Sequence, residues 1–209
     1  MILIMSVPVL ELMTQLKHLP SKHDQKSHGR GSGSSAGSGK YVLMFEEGIR
    51  HLDYEYAGIY KDGKLVFSKP GQATEVEFDG DEMAKMKGAV ITHNHPARAG
   101  DVVLPDGGSF SKSDLILMET VEAAEIRAVS AKYQYSAKPK ISGGGLSPER
   151  RAAMLAYEYN DASVYARAEG NKLHWYGEIT EAEFPVEVTH LTLQRMADKG
   201  LLEYERKAY

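Results

Sequence analysis

His93 and His95 stand two residues apart in Ile91-Thr-His-Asn-His-Pro96, and this pair opens the chemistry the chain can offer. Residues 89–92 before it are a short apolar run introduced by Gly88, the pattern of a buried strand. Alternate side chains of a strand point to one side, so both imidazoles leave the strand end together. Pro96 closes the strand, because it has no N–H to give to a ladder. Two imidazoles aimed together suit one metal ion. A catalytic zinc site takes three protein ligands and keeps a position for water. Asp114 is the natural third ligand, since it falls in the first turn of the next helix, which brings its carboxylate back towards the strand end. Water on such a metal becomes acidic enough to react near neutral pH. A nearby carboxylate would accept its proton, and the Ser111 hydroxyl would steady an oxyanion. Ser111-x-x-Asp114 also has a purely structural reading, as a helix N-cap with an acidic residue in the first turn. The two roles are compatible.

The elements that must hold these residues follow from periodicity and turn chemistry. A strand is expected over 41–45. Two more, over 54–60 and 64–67, flank Asp62-Gly63, a strong hairpin signal. Residues 74–78 alternate, with Val76 and Phe78 on one face, as in another strand, and 81–87 read as one or two helical turns. A helical period runs through Leu115, Met118 and Val121, predicting a helix over 112–124, and 126–135 read as a strand. Pro148 sits where a first helical turn would begin, so a helix is expected over 149–168, and another over 186–199 with Gly200 as its stop. Residues 97–110, rich in Gly and Pro, read as a surface loop at the rim of the site. The expected fold is α/β, a mixed central sheet with flanking helices over 41–140. A tail and Gly/Ser linker fill 1–40, and a small, mainly helical region fills 141–209.

Composition narrows the function classes. The 209 residues carry a net charge of -4, which makes nucleic acid an improbable partner, since phosphate contacts need a concentrated basic surface. Residues 191–206 have the order helix, Gly stop, strand found in winged-helix modules, but the region is acidic, so packing or protein contact is the expectation there. With no cysteine, disulfides and thiolate chemistry are excluded. The apolar start at 1–13 is too short for a membrane span and lacks a signal peptide's basic start, so a cytoplasmic location is expected. His18, His23 and His28 lie in a basic, solvated stretch with no apolar period. Gly39-Lys40 does not make a phosphate loop, because Ser34 and Tyr41 stand where a glycine and a Ser/Thr are required. His51, His174 and His190 are expected at the surface or in packing, and Tyr133 and Tyr135 in packing or at a sheet edge.

His-x-His-Pro followed by Ser-x-x-Asp, with an upstream glutamate, resembles the signature of the JAMM/MPN metalloproteases. The wording Thr92-His-Asn-His-Pro96 is similar to the RadC-like and phage head-associated branches, and the His-rich block at 18–28 resembles a segment of phage head-associated proteins. The resemblance covers 41–139 and implies a deaminase/JAB-like arrangement. It implies Zn2+ held by His93, His95 and Asp114, an oxyanion supported by Ser111, and Glu55 as catalytic base, with Glu47 as the alternative. The family's spacer between the second histidine and the serine is shorter than 97–110 here. The implied function is hydrolysis of a peptide or isopeptide bond in a protein or peptide substrate. Alternatives are a non-catalytic scaffold among phage structural proteins, virion-associated, or a phage-borne toxin-like effector.

Overall fold

The structure is a computed structural model that describes residues 38–99, 102–103, 108–140 and 145–209. The elements are α1 (Ser38–Ile49), β1 (Tyr56–Lys61), β2 (Lys64–Pro70), α2 (Gly80–Lys85) and β3 (Val90–Asn94), then β4 (Arg98–Ala99), β5 (Val102–Val103), α3 (Lys112–Thr120) and β6 (Glu125–Val129), and finally β7 (Tyr133–Pro139), α4 (Pro148–Trp175), α5 (Phe184–Asp198) and β8 (Leu202–Ala208). Six strands form one mixed sheet in the order β2-β1-β3-β6-β7-β8, parallel only between β3 and β6. The chain is therefore α/β, with helices flanking a mixed sheet. Helix α3 lies on the connection between the two parallel strands, as such a connection requires.

Strand alternation divides the core between the two faces. Ile59, Ile91, Ile126, Ala128, Tyr135 and Ala137 pack on one side with Leu115 and Met118 of α3, Leu155 and Ala162 of α4, and Leu193 and Met196 of α5. Tyr56, Tyr60 and Val129 pack on the other side with Val42, Phe45 and Ile49 of α1. The β1–β2 hairpin turns at Asp62 and Gly63, which both take positive φ, 51° and 74°. That is the primed turn whose twist suits a two-residue hairpin.

Several expected elements differ. Residues 41–45 belong to α1: Val42, Phe45, Glu46 and Ile49 are buried at helical spacing while Leu43 and Met44 are exposed. An apolar run of five has the composition of a strand, and only the sheet beneath it reveals which face is covered. Residues 74–78 form no strand. Val76 and Phe78 do share a face, lining a small cavity, but they join no ladder. The stretch 126–135 is two antiparallel strands, β6 and β7, split by a turn in which Tyr133 N donates to Ser130 Oγ. Helix α3 stops at Thr120, where the chain turns so that Gly88 N donates to the Glu122 carbonyl. Helix α4 runs to Trp175, past the Gly170 that is buried against α5.

The expected division at residue 140 is crossed by both hydrogen bonds and core. Strand β8 pairs with β7 along its whole length, from Tyr133↔Ala208 to Pro139↔Leu202. The helices of 141–209 cover the same core as α3. The expected tail also shortens, since α1 begins at Ser38; the linker before it and the His18, His23 and His28 segment lie outside the described residues. Among the described residues no helix is long and apolar enough to cross a membrane.

Helix α1 sits close on the sheet because Gly58 lacks a side chain. A Cβ there would lie 2.6 Å from Phe45 Cε1, and the Phe45 ring is wedged between Tyr56 and Tyr60, at centroid distances of 5.9 and 5.8 Å. Gly58→Ala is expected to destabilise the fold by about 1–3 kcal/mol, the usual cost of overpacking, as read by urea denaturation. A change near zero would mean that the ring moves aside without cost.

Candidate metal centre

Strand β3 sets the first ligand. His93 faces Ala57 of β1 and Ala128 of β6 across the ladders, and these short neighbours leave room for an imidazole on the α3 side. His95 follows the strand and stays fixed because its N–H donates to the Val129 carbonyl at 2.7 Å. The next residue, Pro96, has no N–H with which to continue the ladder.

The His95 ring is oriented by a backbone carbonyl, its Nδ1 lying 3.1 Å from Gly108 O. A carbonyl only accepts, so Nδ1 of His95 carries the proton and its Nε2 carries the lone pair. The two Nε2 atoms stand 2.8 Å apart in the interior. The His95 Nε2 lone pair therefore faces His93 Nε2, and either an N–H on His93 or a cation between the rings satisfies it. Burial lowers the His93 pKa from 6.5 to about 4, so a second proton on that ring is disfavoured; the Asp114 carboxylate opposes this shift and His95 adds to it. A divalent metal fits the donor set, with one imidazole nitrogen from each histidine and a carboxylate oxygen.

Asp114 supplies that oxygen. Its Oδ1 lies 3.4 Å from His93 Nε2, and one ligand atom from each of His93, His95 and Asp114 falls within 4.8 Å of the others. The structure contains the helix cap as well. Asp114 Oδ2 accepts from Ser111 N at 2.7 Å and Ser111 Oγ at 2.8 Å, and Asp114 N donates back to Ser111 Oγ. One carboxylate thus serves both roles, Oδ2 for the start of α3 and Oδ1 for the histidines. The Ser111 hydroxyl is engaged in the cap in this arrangement, at an exposed position.

Glu55 comes to the same place from the start of β1. Its backbone is clamped on one side by Glu55 N donating to Gln72 O and by Gly71 N donating to Glu55 O, each at 2.7 Å. Its side chain lines a cavity of about 50 Å³ together with Ala57, His93 and Asp114. Burial raises its pKa from 4.5 to about 8, helped by the charges of Asp114 and Glu75. The alternative base is elsewhere: Glu47 is on the outer face of α1, exposed and paired with Arg50 at 3.1 Å. Glu46 is fully buried on the α1 side of the sheet, where it accepts from Thr92 Oγ1 and is gripped by Arg127 through both oxygens.

Asn94, between the two histidines, points to the opposite face and fixes the approach to Glu55. Its Oδ1 accepts from Tyr56 N at 2.7 Å and its Nδ2 donates to Tyr54 O at 2.9 Å. Strand alternation could have assigned it the far face, but not this clamp. The Gly108 carbonyl left no sequence signal, because a backbone acceptor does not depend on residue type. Within the 97–110 loop, β4 and β5 pair as a short antiparallel ribbon; residues 100–101 and 104–107 lie outside the described residues. His51 and His174 are exposed, Tyr135 is in the core and Tyr133 packs against it, as expected. His190 is partly buried, with Nδ1 2.9 Å from the Tyr204 hydroxyl.

Comparisons with protein-family models, with curated proteins and with solved structures gave no match.

The purified protein is expected to carry about one zinc per chain by elemental mass spectrometry, lost in His95→Ala. Asp114→Asn separates the two roles of the carboxylate. It keeps an oxygen for the cap, so melting should change little, yet loses the charged ligand, so zinc should drop sharply. Full zinc in Asp114→Asn would leave Asp114 a cap alone. The shift at Glu55 also carries a stability signature. Its pKa in the folded protein lies above its ordinary value, so the neutral carboxyl stabilises the fold below pH 4.5, and that contribution is lost as pH rises through about 8. The stability difference between the metal-free wild type and Glu55→Gln should therefore shift against the wild type across that window. Parallel pH curves of urea midpoints for the two proteins would contradict the placement of Glu55.

Proposed function

We propose that this protein is a zinc-dependent hydrolase of the JAMM/MPN type that cleaves a peptide or isopeptide bond. The observation that carries the reading is the convergence of His93 Nε2, His95 Nε2 and Asp114 Oδ1, with a partly buried carboxylate, Glu55, lining one small cavity with His93 and Asp114. The order of elements is consistent with it. The strand that bears His93 and runs on into His95 leads by a crossover helix capped at Ser111 into a parallel neighbour, and the six-stranded mixed sheet with helices on both faces is compatible with a deaminase-like arrangement.

His93, His95 and Asp114 would hold the ion. Zinc, when bound there, supplies the Lewis acidity that makes water a nucleophile near neutral pH. Glu55 acts as the proton carrier: as a carboxylate it takes the proton from the attacking water and then delivers it to the leaving amine. Its raised pKa suits both halves of that exchange, and a cation next to it would draw the pKa down. Asn94 and the backbone bonds to Gln72 and Gly71 hold Glu55 in place. Ser111 would assist the oxyanion only by turning its hydroxyl away from Asp114 Oδ2.

The second reading is a non-catalytic module that keeps the fold and the metal. The capping box favours it, since Ser111 and Asp114 already have a structural task in α3. Cleavage distinguishes the two. Zinc-loaded protein incubated with a peptide library and with isopeptide-linked peptide conjugates should yield defined new termini by mass spectrometry. Glu55→Gln, with zinc retained, should be slower by about 10²- to 10⁴-fold, the range for loss of a general base. Equal product from wild type and Glu55→Gln, or none from either, would leave the module reading.

A further inference from the structure

The last strand of the chain reaches back to the metal centre. Residues 108–110 form a strap between the β4–β5 ribbon and α3, and its first carbonyl, that of Gly108, orients His95. The strap is held from the C-terminal side. Ser109 Oγ lies 3.0 Å from the Tyr204 hydroxyl of β8, and that hydroxyl lies 2.9 Å from His190 Nδ1 of α5. Tyr159 of α4 donates its hydroxyl to the Phe110 carbonyl at 3.4 Å. The Phe110 ring is fully buried and packs between His93 and Tyr135, each at a centroid distance of 6.4 Å. Ser109 is itself 6% exposed, so its hydroxyl has little water to turn to in place of Tyr204.

We infer that Tyr204 is a positioning residue for the metal centre: its hydroxyl, anchored on His190, fixes Ser109 and so keeps the Gly108 carbonyl on His95 Nδ1. The inference rests on the metal reading of His93, His95 and Asp114, and extends it to Tyr204, 95 positions after Ser109. The physical reason is the tautomer. With Nδ1 bound to a carbonyl, the proton stays on Nδ1 and the Nε2 lone pair faces the other ligands; without it, the ring can take the other tautomer or rotate. Gly108 has a φ of +79° and no side chain, so it does little to hold its own carbonyl in place. The neighbouring Ser109 supplies the hold, and Tyr204 is the partner of Ser109. The hydroxyl of Tyr204 therefore matters separately from its ring, which packs on the core.

Two measurements on the full chain test this. Zinc affinity is read by competition with a chromophoric chelator, and the ring protonation of His95 in the metal-free protein is read by ¹⁵N–¹H correlation spectra. Tyr204→Phe removes only the hydroxyl, and Ser109→Ala removes its partner. Each is expected to weaken zinc on the order of tenfold, the low end of what loss of an outer partner costs, and the double variant should lose no more than either alone. Both should also shift His95 from a single Nδ1-protonated form towards a mixture. Thr192→Val is the structural control: it removes a buried hydroxyl, bonded to Val188 O within α5, and should leave affinity and ring signals unchanged. Unchanged His95 signals in Tyr204→Phe, or an affinity within about twofold of wild type, would overturn the inference, as would an equal loss in Thr192→Val. A wild type that takes up no zinc while Tyr204→Phe still alters the His95 ring would overturn the metal reading and leave the hold on His95 standing.

Discussion

Two imidazole nitrogens held 2.8 Å apart inside an apolar sheet are costly to build, and most of the surrounding structure can be understood as meeting that cost. The His95 ring gives its proton to the Gly108 carbonyl, which leaves its Nε2 lone pair facing His93 Nε2. Burial resists protonation of His93, so the cavity favours a cation that brings its own charge. Ala57 and Ala128 leave space on either side of His93, and the short side chain of Asp114 reaches in from the start of α3. None of these features is unusual alone; together they form a group of two nitrogens and one carboxylate oxygen that could hold a metal ion.

The opposite face of β3 keeps this arrangement rigid. Thr92 and Asn94, one residue to either side of His93, point towards α1. There Thr92 meets the buried Glu46–Arg127 pair and Asn94 binds the backbone at Tyr54 and Tyr56. A buried ion pair is weak support for stability but imposes strict geometry, since breaking one side leaves an uncompensated charge. β3 thus carries the candidate ligand His93 on one face and polar clamps on the other, with paired neighbours along both edges. Such a strand has little freedom to slip, because a shift of one residue would exchange the two faces.

Ser111 and Asp114 show how one short motif satisfies two demands. The first turn of a helix needs an acceptor for its unpaired N–H groups, and a metal needs an oxygen with negative charge. A carboxylate has two oxygens, and here they are divided between these tasks. The cap fixes the direction of the side chain before any ion arrives, which lowers the ordering cost of binding.

The sequence by itself determined the local parts. The spacing of His93 and His95, the closing Pro96, the Asp62-Gly63 turn and the Ser111-x-x-Asp114 cap are all decided within a few residues, by strand alternation, a missing N–H, positive φ and first-turn hydrogen bonding. Those constraints act over distances shorter than one element, so residue types alone expose them. The tertiary structure decided what required two distant segments to meet. Residues 41–45 became helix because the sheet covers one side of them, and the alternating stretch over 126–135 broke at Ser130 because β7 folds back on β6. The final strand joined the sheet beside β7 although nothing in its own pattern names that partner. Which of Glu55 and Glu47 lies near Asp114 likewise depended on the fold, which lines one cavity with Glu55 and Asp114 and leaves Glu47 exposed. Pairing partners, burial and the orientation of a backbone carbonyl such as that of Gly108 are properties of the assembled chain, because each depends on atoms that come from dozens of residues away.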